Sequence, residues 1–210
     1  ASLCAVRTLI ENGKRLKGDV ILTYVVGELQ GGVGTYAAVQ AGTKADYFIN
    51  SEPTDLQALT MHADAFTFKI ELTGITRHMS KREEAVDAIL AACDLIPKLT
   101  KMTFSDAPTD EHRGINRVHV GTIDGALGKS LEKWRPPQVA DFVRLTGSGR
   151  IAPGQSHQNA LKEIKRVLNN LQVDRPGLKA EVKIEANESH SSMPAFEVSK
   201  DARIVKAVNA

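Results

Sequence analysis

The sequence predicts an α/β chain in which a parallel-sheet domain is interrupted by an inserted α+β domain, and three observations support this. Two apolar, β-branched runs near the start flank a helical segment, the strand–helix–strand signature of a parallel sheet. From about residue 64 the strands alternate strictly, as strands with one wet face do. The last dozen residues then return to a helical pattern like that of the opening.

The opening ASLCAVRTLIENG places Leu3, Val6 and Ile10 at helical spacing, with Gly13 as the stop. This helix begins at the first residue, without an initiator Met, and SKDARIVKAVNA at the far end also reads as a helix entered and cut. Both ends are therefore expected to be the middle of something longer. VILTYVV (20–26) is a continuous apolar run, the pattern of a strand buried on both faces. VGTYAAVQAG follows as a short helix stopped at Gly42, and DYFIN (46–50) gives a second buried strand.

FTFKIEL (66–72) alternates. From Arg82 to Leu95 an apolar stripe of Ala85, Ile89, Ala92, Cys93 and Ile96 predicts a helix ended by Pro97. RVHVGTI (117–123) alternates again, and VADFVRLTGSGR (139–150) is a weaker strand signal. HQNALKEIKRVLNNL carries a second stripe of Leu161, Ile164, Val167, Leu168 and Leu171, and AEVKIEA (180–186) closes the series. The order over 64–188 is β-α-β-β-α-β, the ferredoxin-like arrangement with two helices on one face of an antiparallel sheet. The expected organisation is 1–63 for the first part of the α/β domain, 64–188 for the insertion and 189–210 for the return.

Composition narrows the function classes. With 42% apolar and 25% charged residues the chain reads as an ordinary soluble globular protein. A net charge of +2 gives no attraction to nucleic acid, and KREE and KEIKR read as solvated helix faces. Cys4 and Cys93 are isolated, which fits a reducing, cytoplasmic setting. The longest apolar run, VILTYVV, is too short to span a bilayer, and no signal-peptide pattern opens the chain. Neither a nucleic acid nor a membrane is an expected partner.

In open α/β sheets, ligands gather outside the carboxyl ends of the strands. Glu28 follows the 20–26 run and Glu52 follows the 46–50 run. Neighbouring strands lie ~4.8 Å apart, so the two acids are expected to share a cleft. Carboxylates in such loops serve either as reactive groups or as helix caps. VVGELQGGVGT also invites a dinucleotide reading, with Glu52 near the right distance from Gly34 to meet a ribose. GELQGGVG is not a GxGxxG, however, and Glu28 would repel a pyrophosphate from the helix N-terminus. HExxH and zinc-finger Cys/His spacings are absent from the sequence. His62, His78, His112, His119, His157 and His190 are scattered, and His78 stands out in a turn between an alternating strand and a helix.

GDVILTYVVGELQGGVGT, KADYFINSEPTDL, IELTGITRHMS, AVDAILAACDLIPKL and GSGRIAPGQ occur in the order seen in one known family. The chain resembles the acetylornithine deacetylase and succinyl-diaminopimelate desuccinylase family over nearly its whole length. These are metal-dependent aminoacylases and exopeptidases with a catalytic domain and an inserted dimerisation lid. The resemblance implies hydrolysis of an amide bond in an N-acyl amino acid or small peptide, with zinc (or cobalt) lowering the pKa of a bound water toward ~7. It also implies a homodimer formed through the lid.

By resemblance Glu28 is the general base, Glu52 a metal ligand, His78 a stabiliser of the oxyanion and Arg150 the grip on a substrate carboxylate. Leu29 stands where the family has a second acid, and a leucine cannot coordinate. The family's HxD motif, bridging aspartate and final histidine ligand fall outside this chain, and its usual asparagine is replaced within RPPQVAD. Glu52 alone is matched among the usual ligands. The chain is expected not to bind metal stably and to be inactive alone. The alternative reading is a non-catalytic fragment or paralogue that serves as a dimerisation module.

Overall fold

The computed structural model describes residues 1–133, 135–185 and 194–209. In chain order the elements are α1 (Ser2–Glu11), α2 (Val33–Gln40), β1 (Met61–His62), β2 (Asp64–Thr73), a 3-10 helix (Met79–Glu84), α3 (Ala88–Thr100), α4 (Asp110–Ile115), β3 (Arg117–Ala126), β4 (Phe142–Ile151), α5 (His157–Asp174), β5 (Lys179–Glu185), β6 (Phe196–Glu197) and α6 (Arg203–Val208). They fall into two compact units, residues 1–59 with 199–209 and residues 60–185 with 194–198. The expected boundary between 188 and 189, His190 and the last residue of the strand expected over 180–186 lie outside the described residues.

The second unit is the ferredoxin-like insertion. Its four-stranded sheet has the order β3-β4-β2-β5 with every pair antiparallel. Helices α3 and α5 pack on one face and touch each other. Strict alternation sends Phe66, Phe68, Ile70 and Leu72 of β2 into that helix-covered face. They meet Leu95 and Leu99 of α3 and Ile164, Leu168 and Leu171 of α5 in one continuous core. Burying each such side chain contributes ~1.5–3 kcal/mol. Asp87 starts α3, its Oδ1 accepting from the amides of Ile89 (2.8 Å) and Leu90 (3.0 Å). Ser156 caps α5 by accepting from the Asn159 amide.

Three expectations for this unit are corrected. The helix expected from Arg82 begins at Ala88, because residues 79–84 form a separate 3-10 turn and Asp87 supplies the cap. It runs through Pro97 to Thr100, since a proline lacks only one amide and the apolar residues beyond it still pack. Its buried stripe is Ala88, Ala91, Ala92, Leu95 and Leu99, while Ile89 and Cys93 of the expected stripe are exposed. The weak strand over 139–150 is β4, a central strand of the sheet.

The chain enters and leaves this unit through a two-stranded ribbon. β1 pairs with β6, Met61 opposite Glu197 and His62 opposite Phe196, and the His62 and Phe196 rings stack at 5.4 Å. His112 of α4 fastens the ribbon. Its Nε2 lies 3.1 Å from Glu197 Oε2 and its Nδ1 lies 2.7 Å from Thr109 Oγ1.

The first unit contains α1, α2 and α6. The strands expected over 20–26 and 46–50 do not form, and no parallel pairing occurs among the described residues. A doubly buried strand needs partner strands and helices on both faces. Here Tyr24, Val26, Phe48 and Ile49 are exposed, and Val205 is the one buried residue of the unit among those described.

Candidate functional site

Glu28 sits in the turn that leads into α2. The amides of Gln30, Gly31, Gly32 and Gly34 donate to the carbonyls of Gly27, Glu28, Gly27 and Val26. Those amides are engaged inside the turn and are not turned out to cradle a phosphate. Gly32 caps α2 at φ +74°, a conformation that favours glycine, and a Cβ on Gly34 would collide with the Val26 backbone. The loop is thus a tight turn that leaves Glu28 and Leu29 exposed to solvent. Glu52 is exposed as well, its Oε1 accepting from Asn50 Nδ2 at 3.3 Å. The parallel sheet that was expected to bring these two acids into one cleft is not formed among the described residues.

His78 caps the 3-10 helix. The Ser80 amide donates to its Nδ1 at 3.3 Å, and the Ser80 hydroxyl lies 3.0 Å from the same atom. A ring nitrogen that accepts from an amide carries no proton, so the neutral ring holds its proton on Nε2. Backbone bonds from Val139 to Arg77 and from Met79 to Pro137 fix the turn on both sides of His78. The arrangement presents a donor N–H on a rigid turn, which suits hydrogen bonding to a developing oxyanion.

Arg150 lies near the end of β4 on the sheet face that no helix covers. Its Nη1 donates to Ser148 Oγ at 3.3 Å and to the Gly149 carbonyl at 3.5 Å. Behind it a polar cluster locks the strand end. Asn116 Oδ1 and Gln155 Oε1 both accept from the Ala152 amide, at 3.2 and 2.9 Å. Gln155 Nε2 and Asn159 Nδ2 donate in turn to the two oxygens of Asp106, at 2.6 and 2.8 Å. These positioning residues escaped the sequence reading, although Gln155 closes the APGQ stretch next to Arg150.

His78 and Arg150 do not converge. Arg150 pairs with Ala65 near the start of the ten-residue β2, and His78 follows its end at Thr73. At the rise of a strand this is a separation of roughly 25 Å. At the His78 end of the open face Asp124, Arg144, Glu71 and Glu181 lie side by side across the four strands. Burial pushes the Glu71 carboxyl up, but hydrogen bonds and charge from Arg144 and Lys129 outweigh it and hold it below the usual glutamate value.

The metal expected by resemblance does not fit these residues. Among the described residues no group of three His, Cys, Asp or Glu side chains stands close enough to hold an ion. Nor is any described helix long and apolar enough to cross a membrane.

The family profile of the M20 peptidase dimerisation domain matches residues 60–176. A probable carboxypeptidase from Aspergillus clavatus is 25% identical over 180 residues, covering 81% of this chain and 41% of that protein. The N-formyl-4-amino-5-aminomethyl-2-methylpyrimidine deformylase of Bacillus subtilis is 27% identical over 179 residues, covering 80% and 41%. A tripeptidase from Staphylococcus aureus superposes with a TM-score of 0.61 at 21% identity, over 97% of this chain and 49% of that one. The chain thus spans less than half the length of each of these proteins.

Proposed function

We propose, from the premise that this chain belongs to the M20 peptidase dimerisation domain family, that it is the lid-bearing portion of a metal-dependent hydrolase of peptide or amide bonds. The observation that carries the reading is the family match over 60–176, which coincides with a ferredoxin-like unit bearing His78 and Arg150. Within the family, the ordered motifs favour the deacetylase and desuccinylase type, acting on N-acyl amino acids or small peptides. Residues 1–63 and 189–210 then belong to a catalytic domain and 64–188 to the lid. The exposed Tyr24, Val26, Phe48 and Ile49 support this assignment, because a complete parallel sheet would cover them. Two free cysteines agree with a cytoplasmic setting.

In the complete protein Glu28 would serve as the general base, Glu52 would be one ligand of a zinc or cobalt site, His78 would donate to the oxyanion and Arg150 would hold a substrate carboxylate. Among the described residues no metal site is assembled, and the chain is proposed to be inactive alone. Metal analysis of the isolated chain should find no stoichiometric zinc, and N-acetylornithine or N-succinyl-diaminopimelate should not be turned over. Stoichiometric zinc with turnover would overturn the inactivity. Glu28→Gln in the full-length protein should keep the metal and lose the rate, and loss of the metal instead would reverse the roles of base and ligand.

The lid also supports a homodimer. The β5 edge carries Lys179, Glu181 and Lys183, charges that discourage strand addition. The β3 edge instead offers the exposed Ile123, and α3, which packs against β3, exposes Ile89 and Leu90. Isologous antiparallel pairing through β3 reverses one sheet against the other. That brings His78 of the partner subunit to the Arg150 end, which one lid cannot do by itself. A purely dimerising, non-catalytic role is the second reading, favoured by Leu29 at the ligand position.

A further inference from the structure

Arg150 has an unusual neighbour. In the β3–β4 register its direct opposite is Arg117, so two guanidinium side chains rise from adjacent positions on the open face, about 5 Å apart at Cα. Like charges directly opposite one another on a sheet are unfavourable. The partners of both are neutral oxygens, and no described carboxylate pairs with either. Arg117 Nη1 donates to the Gly114 and Asn116 carbonyls, both at 2.6 Å, and Arg150 reaches only Ser148 and the Gly149 carbonyl.

The nearby carboxylates are engaged elsewhere. Asp64 turns to the helix-covered side, where one of its oxygens lies 3.0 Å from His157 Nε2 without hydrogen-bond geometry. Glu185, two positions along the open face, is held by Lys69. The next row contributes His119, Ser148 and Thr67, and the position across β2 from Arg150 is the small Ala65. This end of the face is therefore a polar, cationic floor with hydroxyls, lacking an acid partner for either arginine among the described residues.

We propose that Arg117 and Arg150 together form a dicarboxylate-binding site on the open face of the lid, and that the substrate of the complete hydrolase carries two acid groups, one gripped by each guanidinium. The role as a substrate site rests on the hydrolase reading above, whereas the anion site rests on the register alone. A guanidinium presents a planar fork of donors that matches a carboxylate bidentately, so two forks side by side select two carboxylates over one. Arg117 is thus a specificity residue that the sequence motifs did not mark.

Titration calorimetry on the 210-residue chain tests this with glutarate, its monoacid counterpart pentanoate, and inorganic phosphate. Glutarate should bind at least tenfold more tightly than pentanoate and more tightly than phosphate. Arg117→Gln and Arg150→Gln should each abolish the preference for glutarate, with circular dichroism showing the fold retained. Arg117→Lys, which keeps the charge and loses the fork, should fall between. Equal binding of glutarate and pentanoate, or full preference in Arg117→Gln, would overturn the paired site, and tighter phosphate binding would overturn its dicarboxylate character. Binding is read without turnover. Arginine-dependent glutarate binding in a full-length protein that hydrolyses no N-acyl amino acid or peptide would therefore overturn the hydrolase reading alone.

Discussion

Glu71 faces Arg144 across β2 and β4, with Lys129 reaching it from the turn after β3, at 3.1–3.3 Å. These cations lower its pKa against the opposing effect of burial. A carboxylate with a depressed folded-state pKa contributes stability above its unfolded value, near 4.3, and loses it as pH falls through the lowered value. Glu71→Gln should therefore lower unfolding stability at pH 7 by up to about 1 kcal/mol. The gap between variant and parent should close below about pH 4, as urea melts at pH 7 and pH 3 would show. At this scale the sequence was informative where chemistry is local. His78 was legible in a turn between a strand and a helix, whereas its cap on the Ser80 amide and the exposure of Glu28 come from the structure. The Arg117–Arg150 pairing was invisible, because register joins residues 33 positions apart that share no motif.

Within single elements, β4 shows how a strand can hide. VADFVRLTGSGR carries only a weak strand signal, since glycine is a poor strand residue. In the sheet, Gly147 and Gly149 lie opposite Phe68 and Phe66, and a Cβ on either glycine would fall within the facing ring. The glycines leave room for the aromatics, and the aromatics cover the bare backbone. Gly149→Ala should cost about 1–3 kcal/mol through overpacking, measurable as a lowered denaturation midpoint. A wild-type midpoint would mean that the ring moves aside freely. Helix α3 shows the opposite case, where periodicity was legible but its phase was not. Alanines at 88, 91 and 92 are weak apolar signals, so the eye follows Ile89 and Cys93 to the wrong face. β1, β6 and α4 are too short for any period to register. The runs at 20–26 and 46–50 fail for another reason, because a buried strand is specified by partners as well as by its own residues.

For the molecule as a whole, the order β-α-β-β-α-β was legible because β2, β3, β5 and the two long helices alternate or repeat on their own. The same edge that leaves β3 unpaired yields a direct test of assembly. Ile123→Lys places a charge at the middle of the proposed dimer seam, and light scattering should report a monomer where the parent chain is a dimer. A monomeric parent at tens of micromolar would count against pairing through the lid, and a dimeric variant would move the seam away from β3.

The ribbon of β1 and β6 has a practical corollary. The unit's first and last strands run side by side, with Thr60 and Val198 joined by a 2.7 Å backbone hydrogen bond. Its two ends therefore emerge at one point, as they do in modules that can be cut out, transplanted or circularly permuted without tearing the core. The adjacency of Thr60 and Val198 suits insertion into a host loop that presents two neighbouring ends.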